Sequence, residues 1–217
     1  MSDFHYSPPN VPLEIVRKDG ALLLINKPSG LLSVPGKKIE HSDCLESRVK
    51  AEFPEALLVH RLDLGTSGVM VFALTRGAQR NLGIQFEKRL VRKSYIARVL
   101  GRVAKSEGRI ELPIAVDWPN RPKQKIDPSS GKSAATRWRI VCREEFATRL
   151  NLFPETGRSH QLRVHLHAIG HPVLGDRLYF EGESASAAVR LQLHAESLEF
   201  RHPEGGKLVK YKVECPF

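Results

Sequence analysis

Cysteine is scarce in this chain: Cys44, Cys142 and Cys215 stand alone, with no CxxC pair among them. An odd and scattered set argues against a zinc ribbon or a disulfide framework and predicts reduced thiols in the cytoplasm. Long apolar runs are also missing. The longest, such as Val69 to Leu74, fall far short of a bilayer span. The opening MSDFHYSPPN has no basic segment followed by an apolar one, so no secretory signal is expected. No repeat or low-complexity tract interrupts the sequence. A soluble intracellular protein is the expectation.

Several enzyme signatures fail as well. Gly131-Lys132-Ser133 imitates the end of a P-loop, but the required earlier glycine falls on Ile126. His160, His165, His167 and His171 lack the HExxH pattern, and His165 with His167 cannot share one face of a helix. No metal is expected. Asp176 is a second candidate carboxylate, though Pro172 and Gly175 favour a structural turn around it.

What the chain does have is length for one sizeable core, at 217 residues, and a basic excess. Lys and Arg number 34 against 24 Asp and Glu, a net charge of +10. That excess favours a polyanionic partner, because basic side chains near phosphates release condensed counterions. A basic but uninvolved surface is the alternative.

Residues 1–12 read as a flexible lead-in, and 13–217 as one compact domain. Ala21 to Ile25 predicts a buried strand, closed by the turn Lys27-Pro28-Ser29-Gly30. Leu45, Val49 and Phe53 mark a helix that stops at Pro54. Leu57 to Arg61 and Val69 to Thr75 are strand-like and flank a loop from Leu62 to Gly68. A second helix is predicted over Arg76 to Arg89. Strands follow at Ser94 to Leu100, Arg109 to Ile114, Ala134 to Val141 and Thr148 to Phe153. A helix then begins with Ser159 as N-cap and Gly170 at C′. Leu191 to Phe200 and Lys207 to Val213 complete the strands. Many strands with a few irregularly placed helices predict an α+β fold with a largely antiparallel sheet.

The most informative stretch is His60-Arg61-Leu62-Asp63-Leu64-Gly65-Thr66-Ser67-Gly68. It sets a carboxylate in a loop between apolar strands, beside an arginine and before two glycines. Loops held by rigid strands are where catalytic groups tend to sit. The same residues also suit a plain turn capped by Asp63. On the later helix, Leu162, Leu166 and Ile169 form an apolar stripe, while His160, Arg163 and His167 share another face. That polar face can line a cleft or meet water. Basic residues crowd Lys88 to Arg109, with only Glu107 against them, and Arg121, Lys123 and Lys125 cluster near Trp118. These can track phosphates, with Trp118 as a stacking surface, or simply be solvated.

The Asp63 stretch resembles the HRLD-x-x-TSG signature of the RluA-type pseudouridine synthases, with every motif position filled. Asn26 to Leu32, Arg92 to Tyr95, Thr156 to His165 and His171 to Asp176 are similar to further family motifs, in the family's order over most of the chain. Asp117 to Lys125 resembles the branch acting on both tRNA and large-subunit rRNA. The motifs start early in the chain, so no N-terminal S4 domain is expected. The resemblance implies the pseudouridine synthase fold, a mixed and mainly antiparallel sheet crossed by an active-site cleft.

It also implies a cofactor-free isomerase acting on uridines of a tRNA anticodon loop and a 23S rRNA hairpin; a monomer is the separate expectation. Asp63 would be the essential aspartate, working at the sugar covalently or as a base toward a glycal. Arg163 would hold Asp63 ionised, and Tyr95 would stack on the uracil. Arg61 would fill the gap left by a flipped nucleotide. Implied RNA contacts are Arg61, His60, Arg92, Lys93, Arg121, Lys123, Lys125, Arg158 and His160. A half-buried strand tyrosine and a surface ion pair are the plainer readings of Tyr95 and Arg61. A catalytically idle RNA-binding protein of the same fold is the second functional reading.

Overall fold

The computed structural model describes residues 6–180 and 187–217. In chain order the strands begin with β1 (Glu14–Lys18), β2 (Leu22–Lys27), β3 (Leu57–Leu58), β4 (Ser67–Ala73), β5 (Arg92–Leu100) and β6 (Glu107–Glu111). They continue with β7 (Ile114–Val116), β8 (Gln124–Ile126), β9 (Ala135–Arg143), β10 (Ala147–Pro154), β11 (Leu193–Arg201) and β12 (Leu208–Lys212). The helices are α1 (Leu45–Glu52), α2 (Arg76–Glu87) and α3 (Gln161–Ala168). The chain forms two compact units, Met1–Arg92 with Ala195–Glu214, and Lys93–His194 with Cys215–Phe217.

The first unit is built on the strand order β1-β2-β4-β11, with β3 also on β4 and β12 on β11. Every residue of β4 is buried, and all of β2 except Asn26. This is why both read as unbroken apolar runs rather than alternating ones. One face of these strands packs Leu22, Leu24, Val69, Val71 and Ala73 against Ala78 and Leu82 of α2. Leu23, Ile25, Met70 and Phe72 point the other way and are fully buried too. Such side chains contribute about 1.5–3 kcal/mol each.

Helix α1 starts at Cys44, whose sulfur accepts the Ser47 N–H while Ser47 Oγ accepts the Cys44 N–H at 3.0 Å. This lone buried cysteine is therefore a helix cap. The lead-in is less loose than expected. Residues 1–5 of it lie outside the described residues, but the Tyr6 hydroxyl donates to the Asp43 carbonyl at 2.8 Å and accepts the Leu32 N–H at 3.0 Å. Strand β1, unmarked in the sequence because its side chains are mostly exposed, pairs antiparallel with β2.

The second unit holds an antiparallel sheet in the order β5-β10-β9-β6 and a separate β7-β8 hairpin. Leu162 and Leu166 of α3 pack on Ala97, Val99, Leu150 and Leu152 of that sheet, with Ile169 at the margin, as the helical stripe predicts. The α+β, largely antiparallel expectation holds. The predicted strand Arg109 to Ile114 instead splits into β6 and β7, and only Leu57–Leu58 of the predicted Leu57 to Arg61 strand forms.

The start of α3 also differs. Its N-cap is His160, left-handed at φ 53°, and not Ser159. Gln161 reaches back instead, its Oε1 accepting the Arg158 N–H at 3.0 Å and the Thr156 hydroxyl at 2.6 Å. At the other end Gly170, at φ 82°, takes the left-handed position past the C-cap Ile169, as expected.

Candidate active site

In the first unit, Asp63 stands half-buried on the loop between β3 and β4, with Arg61 exposed and Leu62 buried before it. The loop is fastened from beneath. Ser33 Oγ donates to the Leu62 carbonyl at 2.6 Å and accepts the Leu62 N–H at 3.1 Å. Lys27, wholly buried at the end of β2, donates to the carbonyls of Leu31 (2.6 Å), Pro28 (2.9 Å) and Leu64 (3.2 Å). Ser29 Oγ bonds the Gly65 carbonyl at 2.7 Å, and the Gly30 N–H bonds the Leu64 carbonyl at 2.9 Å. A buried ammonium is tolerated only where fixed dipoles surround it. Here those dipoles are the backbone of the Asp63 loop and of the turn after β2, so the charge locks the two segments together.

The glycine ending the motif is required by contact as well as by conformation. Gly68 has φ 118°, and a Cβ there would lie 2.2 Å from the Ala195 carbonyl oxygen. His60 turns inward: its Nε2 accepts the Val71 N–H at 3.1 Å, and its ring stacks on Phe86 with centroids 4.8 Å apart. Expected at the RNA, this ring braces β4 against α2. Arg61 faces solvent. Arg92 reaches Glu199 at 3.1 Å.

In the second unit, Arg163 is buried, not water-facing, and makes a two-point pair with Asp176: Nε to Oδ2 and Nη2 to Oδ1, both 2.7 Å. Asp176 also accepts the N–H groups of Leu178 (3.1 Å) and Tyr179 (3.2 Å), so the expected turn is present and has this second task. The guanidinium lies 4.9 Å from the centre of the Tyr179 ring. Tyr95 is half-buried on β5 opposite Leu152 and packs at the edge of the sheet core. Burial pushes the Lys93 ammonium below its ordinary range, and its Nζ sits 3.6 Å from where a Cβ on Gly157 would be. Arg158 Nε donates to the Ser133 carbonyl at 3.1 Å, and His160 Nδ1 lies 2.7 Å from the Tyr179 hydroxyl.

His165 is a core residue: Nδ1 meets Thr136 Oγ1 at 3.0 Å and Nε2 meets the Leu112 carbonyl at 2.9 Å. The basic stretch from Lys88 to Arg109 is partly neutralised, since Arg98 pairs with Glu144 and Arg109 with Glu111 and Glu155. Arg121 lies over the Trp118 ring at 4.5 Å, so one face of that exposed indole already carries a cation. Lys123 and Lys125 flank Gln124 on the hairpin, with Lys125 3.7 Å from Asp127. Among the described residues no group of three or more His, Cys, Asp or Glu is placed to hold a metal, and no helix is long and apolar enough to cross a membrane.

The supports of these residues leave little trace in the sequence. Lys27 looks like turn punctuation, yet a lysine so soon after five apolar residues is the available sign of a buried cation. Asp176 and Tyr179 carry no local sign of their partnership with Arg163, because the pairing spans a helix and a turn.

These arrangements belong to a known class of RNA-modifying enzyme. Residues 21–168 match the RNA pseudouridylate synthase family. The chain belongs to this family. It is 51% identical over 204 residues to "Dual-specificity RNA pseudouridine synthase RluA" of Yersinia pestis, covering 94% of this chain and 99% of that one. It is 48% identical to the protein of the same description from Escherichia coli K12, covering 98% of each. Among solved structures it is similar to human RNA Pseudouridylate Synthase Domain Containing 1, with a TM-score of 0.81 at 29% identity, over 97% of this chain and 87% of that one. Human RNA Pseudouridylate Synthase Domain Containing 4 follows with a TM-score of 0.76 at 26% identity, covering 94% and 88%.

Proposed function

We propose that this protein isomerises uridine to pseudouridine in two kinds of RNA, a tRNA anticodon loop and a 23S rRNA hairpin, with Asp63 as its catalytic carboxylate. The C1′–N1 bond of the target breaks, the uracil turns, and C5 bonds to C1′. The C5 proton leaves and N1 gains one, so atoms and electrons balance without any co-reactant. Asp63 acts at the sugar, either on C1′ as nucleophile or on the C2′ proton as base. Arg163 supplies a buried cation, held in place by Asp176. Tyr95 restrains the base, and Arg61 takes the stacking position of the extruded nucleotide, whose extrusion costs a few kcal/mol. Basic side chains of the β7-β8 hairpin, with Lys93, Arg92 and Arg158, are read as phosphate contacts.

The observation carrying this reading is the Asp63 loop. Its backbone is fixed by Lys27, Ser29 and Ser33 while the carboxylate side stays partly open. A plain surface turn needs no buried cation beneath it. The dual substrate is supported by the two bacterial relatives' description as dual-specificity enzymes. The experiment is pseudouridine mapping in total RNA from cells lacking the protein, with wild type or Asp63→Asn restored. The wild type restores modification at one tRNA and one 23S site, and the variant restores neither while still binding RNA within a few-fold. Turnover by Asp63→Asn, or modification confined to other RNAs, refutes the reading.

A further inference from the structure

Three features of the second unit converge on Tyr179. The Tyr179 hydroxyl accepts the Gln124 N–H at 2.8 Å and lies 2.7 Å from His160 Nδ1. The Tyr179 ring faces the Arg163 guanidinium at 4.9 Å. The Tyr179 N–H donates to Asp176 Oδ1, the oxygen that also receives Arg163 Nη2. Gln124 sits between Lys123 and Lys125 on β8, and β8 itself contacts α3.

We infer that Tyr179 is a positioning residue that couples RNA engagement by the basic β7-β8 hairpin to the orientation of Arg163. The hydroxyl holds the hairpin at the start of α3. The ring and the backbone of the same residue hold the guanidinium, through its π face and through Asp176. The hydroxyl has a partner on each side, the Gln124 N–H and His160 Nδ1, and a cation over an aromatic ring gains about 0.5–2 kcal/mol. The hairpin is also tied by the backbone pair Ile114–Lys132, at 3.0 and 2.9 Å, and Ile114 and Ile126 join a small cluster with Ala134 and Val164, in which Tyr179 also packs. Moving Tyr179 therefore shifts the hairpin and the arginine together.

The inference rests on the proposed RNA-modifying function, and its test keeps the two apart. A transcribed tRNA anticodon stem-loop is the probe, with Kd, its salt dependence and the single-turnover rate measured. The proteins are wild type, Tyr179→Phe, the pair Lys123→Ala with Lys125→Ala, and the combination of all three changes. Tyr179→Phe is expected to weaken binding about five- to tenfold, the worth of one or two hydrogen bonds. The lysine pair is expected to matter less in the Phe background than in wild type, since the hairpin end carrying Gln124 is then held less firmly at the start of α3. The slope of log Kd against log salt should fall in Tyr179→Phe by about 0.7 for each phosphate the hairpin no longer neutralises. A side chain that only packs would lower the melting temperature and leave this coupling and slope unmoved.

His160→Ala, which removes the other partner of the hydroxyl, gives a smaller change in the same direction and covers the case in which Tyr179→Phe does not fold. Independent, multiplying effects of the tyrosine and lysine changes, or a Tyr179→Phe protein indistinguishable from wild type, overturn the inference while leaving the function intact. A wild-type protein that forms no pseudouridine in any RNA overturns the function itself.

Discussion

Arg163 and Asp176, thirteen residues apart, meet through two 2.7 Å hydrogen bonds with side chains only 9% and 1% exposed. Removing one partner of such a buried pair strands the other charge, at a cost of about 3–5 kcal/mol. Asp176→Ala is therefore expected to lose stability on that scale in urea unfolding, together with nearly all activity. Replacing both residues by apolar ones, Arg163→Met with Asp176→Leu, should regain much of the stability and none of the activity. If the single variant loses under about 1 kcal/mol, the pair is not the buried unit it looks to be.

Lys27 tests whether the support of the Asp63 loop matters for catalysis. Lys27→Met keeps the length of the side chain and removes the ammonium shared by Pro28, Leu31 and Leu64. Carbonyls left unmet cost about 1–3 kcal/mol each, offset by no longer burying a charge. Misplacing a catalytic group by 1 Å slows an enzyme by about a hundredfold. Single-turnover rates should fall about tenfold or more while RNA affinity changes little. Weaker RNA binding at an unchanged rate would instead make Lys27 part of a binding surface.

How far the sequence carries is visible in these two cases. Apolar runs located β2 and β4, because strands buried on both faces leave a continuous mark. The helical stripe of α3 was equally legible, since Leu162, Leu166 and Ile169 repeat at the helix period. Asp63 stood out through its long motif. What stayed hidden depends on partners distant in sequence. Ser159 looks like the cap of α3, but Gln161 bonds back across the turn and His160 turns left-handed, so the local preference for serine loses. His165 looks polar and lies in the core, since Thr136 and Leu112 from other elements satisfy both its nitrogens. Strand β1 lacks a buried face and leaves no periodic sign.

Gly68 and Gly83 make a contrasting pair. A methyl group on Gly68 meets the Ala195 backbone at 2.2 Å, in a backbone conformation that side chains rarely adopt, whereas nothing lies within 4 Å of one on Gly83 in α2. Gly68→Ala should cost about 1–2 kcal/mol for conformation and about 1–3 kcal/mol for overpacking. Gly83→Ala should raise stability by about 0.5–1 kcal/mol, because alanine restricts the unfolded chain. Thermal unfolding of the two variants gives shifts of opposite sign. A tolerated Gly68→Ala would mean that β4 and β11 are not held this close.

The last expectation concerns acid. Burial pushes the His165 imidazole below its ordinary value of 6.5, against a smaller upward pull from its bond to the Leu112 carbonyl. The fold therefore prefers the neutral ring, and the unfolded chain binds the extra proton. The resulting contribution to stability is complete above about pH 6.5 and declines as pH falls below it toward the depressed folded value. Asp43, Glu144 and Glu155 are also held below their ordinary values of 3.8, 4.5 and 4.5, first of all by hydrogen bonds from Arg48, Arg98 and Arg109. Their contribution is present above those values and fades only in stronger acid, so the two windows separate. Unfolding free energy should fall between about pH 7 and pH 5 in wild type, and His165→Gln should flatten that segment while lowering stability at neutral pH. An unchanged slope in the variant would assign the loss to a group other than His165.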